Sequence, residues 1–186
     1  MPANRPHVDR EAKAAEILDA AESLLLRDGY EATTMASVAR AAGISSNAVY
    51  WYFSSKDELL ASVLRRRQER AVSGLKVKSA ASLQKQALAV LAELDSIASL
   101  TAVVHERAEH SPAVAEVHEA FHARVDAKLR EGFEAAGMAG QDAGMAAAAL
   151  IAMVEGIHLH SPTRDASARN DLVLWVIQSF VDKQTD

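Results

Sequence analysis

The sequence predicts an all-α chain built in two parts, and three observations carry that prediction. Apolar residues recur at three- and four-residue spacing along almost the whole chain, as the buried face of a helix requires. No segment shows the apolar–polar alternation between turn residues that marks a strand. The helical segments are separated by breakers: Gly29, Ala42-Gly43, Ser111-Pro112, Gly137 to Gly144 and Ser161-Pro162. At 186 residues and 49% hydrophobic content, the chain can hold a small head and a larger body with a real core.

The first helix is expected from Asp9 or Arg10 to Asp28, with Ala14, Ile17, Leu18, Ala21, Leu24 and Leu25 on one buried face and Arg27 and Gly29 as stop signals. Met35, Val38 and Ala39 then recur at helical spacing, Gly43 interrupts them, and Val49 and Phe53 resume. That is helix, turn, helix. Ala39 is small enough for close approach, Gly43 supplies the positive φ a tight turn needs, and Ile44 and Val49 fill the angle. Ser55-Lys56-Asp57-Glu58 reads as a capping box opening a further helix that carries Leu59, Leu60, Val63 and Leu64 inward and runs towards Gly74. Its arginine cluster at positions 65, 66, 67 and 70 reads as a solvated face. Five more helices are expected at Leu83–Leu100, Thr101–Glu109, Ala113–Ala136, Ala143–His160 and Ala168–Lys183.

Composition excludes several classes. There is no cysteine, which removes disulfides and thiolate chemistry. The first ten residues lack an apolar stretch, and the longest apolar runs, Met145 to Val154 and Leu172 to Ile177, fall short of the ~20 residues of a spanning helix. A soluble, cytoplasmic protein without a membrane partner is therefore expected. Residues 1–78 hold 12 Lys/Arg against 10 Asp/Glu and residues 79–186 hold 8 against 15, so the parts carry +2 and −7. Charge that mild does not by itself indicate nucleic acid. No Gly-rich phosphate loop or nucleophile elbow is present, and no cofactor is implied.

Ser45, Ser46, Asn47, Tyr50, Trp51 and Tyr52 crowd fewer than two and a half turns, so several must face a partner. Thr34 with Val38-Ala39, then Ala42-Gly43-Ile44-Ser45, Tyr50-Trp51-Tyr52-Phe53 and Ser55-Lys56-Asp57-Glu58-Leu59, resembles the signature of the tetracycline-repressor-like (TetR) transcription regulators. The resemblance implies a three-helix DNA-binding head with a helix-turn-helix (residues 1–56) and a helical-bundle body for ligand binding and dimerisation (residues 57–186). It further implies a homodimer on palindromic double-stranded operator DNA, acting as a repressor released by a small-molecule effector, and not an enzyme. Operator contacts then fall on Thr34, Ser45, Ser46, Asn47, Tyr50, Trp51, Tyr52 and Lys56. Asn47 and Trp51 depart from the small and polar residues common there, which bears on the sequence read. Arg5, His7 and Arg10 read as a solvated end in preference to a minor-groove arm.

In the body, six consecutive apolar residues, Leu172 to Ile177, make a helix with no polar side. One face can enter its own core and the other needs a second surface. The preceding helix offers the small-residue face Met145, Ala148, Ala149, Ala152, Met153 and Gly156. A two-fold interface of four helices built on Met145, Ala149, Ala152, Met153, Gly156, Leu172, Trp175 and Val176 is expected, against the alternative of one deeply buried hairpin. Candidates for the effector pocket are Val103, Val104, His118, Phe121, His122, Val125, Met153 and His158. Residues 118–122, His-Glu-Ala-Phe-His, also satisfy the H-E-x-x-H zinc signature, with His105, His110, His158 or His160 as a possible third ligand. Three readings stand: a zinc hydrolase, a metal-sensing site, or polar groups lining a cavity or surface. The last is adopted, with no metal assigned.

Overall fold

All secondary structure is helical among the residues that the computed structural model describes, which are 5–72, 80–160 and 165–182, with side chains at 10–70, 83–157 and 165–182. The helices are α1 (Arg5–Ala32), α2 (Met35–Ala41), α3 (Ser46–Tyr52), α4 (Lys56–Val72), α5 (Ala80–Ser96), α6 (Ala98–His110), α7 (Pro112–Ala135), α8 (Gly140–His160) and α9 (Ala166–Asp182). They form two units: residues up to Arg67 with Val103–Val117, and Gln68–Ala102 with His118 onward. The expected breakers near Gly74 and at Ser161-Pro162, and the side chain of His158, lie outside the described residues.

In the first unit, α1 presents Ile17, Ala21, Leu24 and Leu25 as its buried face, as their spacing demands. It starts four residues before Asp9, because Pro6 in a first turn lacks only an amide that would have no partner there. Its regular path stops at Gly29 (φ 83, ψ 170), and one more turn follows to Ala32. Met35, Val38 and Ala39 of α2, Val49 of α3, and Leu59, Leu60, Val63 and Leu64 of α4 complete the core. Burying a side chain such as Val49 contributes about 1.5–3 kcal/mol.

The turn between α2 and α3 is set by Gly43 at φ 67. The Ile44 amide bonds the Ala39 carbonyl (3.0 Å) and the Gly43 amide that of Arg40 (3.3 Å), which is a Schellman closure with glycine in the left-handed position. At Ser55-Glu58 only half of the expected capping box forms: the Glu58 amide donates to Ser55 Oγ (3.1 Å), but the Glu58 carboxylate accepts from the Ser54 amide (2.6 Å) and the Ser54 hydroxyl. The arginine cluster also differs from a solvated face. Arg66 reaches Asp19 (2.8 Å) and Glu22 (2.7 Å) on α1, and Arg67 bonds the other oxygen of Glu22, so α4 is clamped to α1. Burial pushes the Glu22 carboxyl up, but the bonds from Arg66 and Arg67 outweigh it and hold the group below the usual carboxylate range.

The second unit has its own core: Leu83, Ala87 and Leu91 of α5, Leu129 and Phe133 of α7, Ala143, Ala146, Ala147 and Leu150 of α8, and Val173 and Ile177 of α9. α7 ends as α2 does. Gly137 (φ 97) lets the Met138 amide reach the Phe133 carbonyl (3.0 Å), and Met138 and Phe133 are the buried pair that accompanies this closure. The expected break at Thr101 falls instead at Ile97, where Ser96 Oγ donates to the Glu93 carbonyl (2.6 Å) and competes with the helical ladder. Arg169, only 9% exposed, is held by Asp95 (2.7 Å).

Phe133 is fully buried and makes an edge contact with Phe180 (6.0 Å between ring centres). Phe133→Ala is expected to destabilise the second unit by about 3–5 kcal/mol, read as a lowered urea midpoint, while Gln141→Ala on the exposed surface leaves it unchanged.

Candidate nucleic-acid interface

α3 is two turns long, and its sidedness follows from one buried residue. At 100° per residue Val49 points one way, and Asn47, Tyr50 and Trp51 occupy an opposing sector about 100° wide. Asn47 is exposed, Tyr50 is 52% exposed and Trp51 80%. Large aromatic surface left in water on a helix this short is unusual in a chain whose other tryptophan and tyrosines are few, and it marks a contact face. Ser46 turns towards the Val49 side and is half-buried, so its reach is shorter than that of Asn47.

The remaining predicted residues frame this face. Ser45 caps α3, its Oγ accepting from the Ala48 amide (3.3 Å), and Thr34 caps α2 in a reciprocal box with Ser37 (3.0 and 2.9 Å). Both hydroxyls are exposed and keep a proton to donate. Tyr52 is half-buried with the Arg10 guanidinium 6.0 Å from its ring, so Arg10 stands beside the end of α3. Lys56 lies over the Tyr30 ring (3.9 Å) with its ammonium 3.5 Å from the Glu31 carbonyl. That leaves it a further N–H to offer outward.

The same unit holds a network that no local pattern in the sequence announced. The Asp57 carboxylate accepts from Tyr30, from Arg107 in a two-pronged contact (3.1 Å from Nε, 2.5 Å from Nη2) and from Ser111. Burial pushes Asp57 up, but the hydrogen bonds from Arg107 and Tyr30 outweigh it and the carboxyl is held below its ordinary range. Burial, then the bond to Asp57, raises the Tyr30 phenol, which stays a protonated donor. Asp57 was legible only as part of a cap; its partner lies fifty residues on.

Of the effector candidates, His118, Phe121 and His122 come together on α7: the two imidazoles are 4.4 Å apart in edge contact and Phe121 is 5.9 Å from His122. Val125 and Met153 pack against the core of the second unit, whereas Val103 and Val104 belong to the first. Of the dimer candidates, Met145 (59%) and Trp175 (67%) are exposed, as are Ala149 and Ala152, while Met153, Gly156, Leu172 and Val176 are half-buried.

Comparison with known proteins decides the family. The model of bacterial regulatory proteins of the tetR family matches residues 17–63, and that of the C-terminal part of BetI-type transcriptional repressors matches residues 82–186, more than half the chain. The chain belongs to the tetR family. It is similar to the uncharacterised HTH-type regulator YfiR of Bacillus subtilis, 42% identical over 62 residues, which are 32% of this chain and 30% of that relative's length. A tetR-family regulator from Mesorhizobium loti superposes with a TM-score of 0.75 at 20% identity, covering 92% of this chain and 96% of that one. BioQ, solved with its double-stranded DNA operator, superposes at 0.64 and 19% identity, covering 91% and 98%. The chain thus carries the helix-turn-helix DNA-binding domain of a tetR-family transcriptional regulator, and the reading of residues 118–122 as a zinc-hydrolase motif is set aside. No helix among the described residues is long and apolar enough to cross a membrane.

Because the folded pKa of Asp57 lies below its unfolded value, the network stabilises the first unit fully above the ordinary carboxylate range, and that contribution fades as pH falls through the depressed folded value. Asp57→Asn is expected to lower the melting temperature at pH 7 and to flatten its decline between about pH 5 and pH 2. Melting curves across that range check both.

Proposed function

We propose that this regulator is a repressor that binds a palindromic operator as a homodimer and is released by a small-molecule effector, with residues 1–56 reading DNA and residues 57–186 sensing and dimerising. The observation that carries the reading is the outward sector of α3, where Asn47, Tyr50 and Trp51 are exposed around a firmly buried Val49. In the major groove an amide side chain suits the paired donor and acceptor of adenine, and an exposed apolar ring suits a thymine methyl group. Ser46, Asn47, Tyr50 and Trp51 take base edges or sugars; Thr34, Ser45, Tyr52 and Lys56 take phosphates. The likeness to the C-terminal part of BetI-type repressors supports repression. Such a protein acts in the cytoplasm, where its DNA is.

The dimer reading is supported by the exposed stripe Met145, Ala148, Ala149 and Ala152 of α8 and by Trp175 of α9, apolar surface that water solvates poorly. Small side chains along α8 let a partner helix approach closely, and a two-fold axis makes the patch its own complement. Two heads then sit one helical turn apart, ~34–36 Å or a multiple, to enter successive major grooves. An effector among His118, Phe121, His122, Val125 and Met153 releases DNA by preferring a spacing that fits the duplex poorly. A complete switch requires about 5.5 kcal/mol of differential affinity between the two states.

Two experiments test this. In fluorescence-anisotropy titrations on a palindrome from upstream of the protein's own gene, Asn47→Ala should relax preference at one base position at a cost of about 1–3 kcal/mol. Lys56→Ala should weaken all sequences alike and reduce the salt slope by about one. Unchanged affinity and preference in both variants would remove α3 as the reading element. In sedimentation, Trp175→Glu is expected to give a folded monomer at concentrations where the parent chain is a dimer, since a charge there faces solvent in the monomer and a dry surface in the dimer. A variant that dimerises as the parent does would rule out this interface.

A further inference from the structure

The His118/His122 pair has a geometry that operator binding does not use. The two residues are four apart on α7, on one face, and their Nε2 atoms are 3.0 Å from each other. On the far side of the second ring, His122 Nδ1 is 3.1 Å from Glu155 Oε1 on α8. The pair and the glutamate all belong to the second unit, and His122 and Glu155 are about one-third exposed or less (29% and 34%), open to ions yet partly screened from water.

From this we infer that His118 and His122 form a binding site for a divalent late first-row transition ion, zinc being the representative case, with Glu155 as the positioning residue. A neutral imidazole carries one proton. With the Glu155 carboxylate 3.1 Å from Nδ1 and favouring the proton there, the His122 Nε2 lone pair is left free and aimed at His118. A carboxylate behind a histidine also raises the ring's donor strength and fixes its orientation, which is the arrangement behind most histidine–zinc bonds. In the metal-free pair one Nε2 must carry a proton to bridge to the other. On metallation His118 shifts its proton to Nδ1, and both lone pairs point at the ion. Two nitrogens ~2.0–2.1 Å from a tetrahedral ion stand roughly 3.3–3.4 Å apart, so the rings need to open by only a few tenths of an ångström. Imidazole donors select zinc, copper, nickel and cobalt over magnesium and calcium, which prefer oxygen. Glu119, exposed and one residue along from His118, is not part of the site. Metal binding stands on this geometry alone. That the ion also acts as an effector rests on the proposed function, and is asked separately.

The test is a zinc titration of the full-length, metal-stripped protein without DNA, read by competition with a chromophoric chelator and by cobalt substitution. One ion per chain is expected, with cobalt absorption bands of nitrogen ligation. His118→Gln and His122→Gln should abolish the competition, Glu155→Gln should weaken it by about 10–100-fold, and Glu119→Gln should leave it unchanged. Nitrogen-15 spectra of the unaltered protein give a readout independent of the variants: zinc should move the His118 ring to the Nδ1–H form, which His122 already holds, and perturb the Nε2 resonances of both. No competition by the parent chain, or parent-like affinity in the doubly substituted His118→Gln/His122→Gln chain, overturns the site. A second titration, of the zinc-loaded protein on the operator, then reports regulation. Zinc binding without any change in operator affinity leaves the metal site standing and removes only its role as effector.

Discussion

The first unit depends on one partly buried carboxylate. Asp57 opens α4, where a negative charge also suits the helix end, and accepts from a tyrosine at the end of α1, an arginine late in α6 and a serine just before α7. A carboxylate removed from water without such partners would be costly or would protonate. Here each donor comes from a different segment, so satisfying the charge requires all of them to be in place. Through Arg107 and Ser111 the network ties residues 103–117, distant in sequence, into the first unit, alongside the buried Val104, Val114 and Val117. The same bonds hold the start of α4, which follows by a short link the Phe53 cap of α3, the helix that presents Asn47, Tyr50 and Trp51.

The two Schellman closures work by a different physical device. At Gly43 and at Gly137 the chain must turn sharply while pairing the last carbonyls of a helix, and the left-handed backbone conformation does both. At neither position would an added Cβ meet a neighbour within 4 Å, so the restriction is on backbone angle and not on space. In the first unit the closure fixes the angle between α2 and α3; in the second it buries Met138 against Phe133. Rigid placement of a short helix is what base reading demands, since hydrogen bonds to base edges tolerate little misalignment.

The second unit shows how an apolar helix can be satisfied only in part. Val173 and Ile177 enter the core, Leu172, Leu174 and Val176 are half-buried, and Trp175 remains in water. The arginines divide in a parallel way. Arg66, Arg67, Arg107 and Arg169 are each engaged by a carboxylate, whereas Arg65 is exposed. A count of basic residues thus overstates the charge free for phosphates, and the proposed DNA recognition leans on hydroxyls, an amide and aromatic rings.

By itself the sequence determined what depends on neighbours close along the chain. Helical period set the buried faces of α1, α2 and α4, glycine set the two turns, Thr34 and Ser45 set the caps, and the spacing of Val49 from Asn47, Tyr50 and Trp51 set which side of α3 faces outward. Those features are local because backbone geometry repeats over three or four residues. Tertiary structure alone decided the partners of charged side chains. Nothing near Asp57 predicts Arg107, nothing near Glu22 predicts Arg66 and Arg67, and nothing near His122 predicts Glu155. It also moved the break expected at Thr101 to Ile97, where a serine hydroxyl and not a glycine or proline ends the helix. An ion pair has no sequence period: its members are chosen by which surfaces meet after the helices have packed, and by the cost of leaving either charge unpaired once they have.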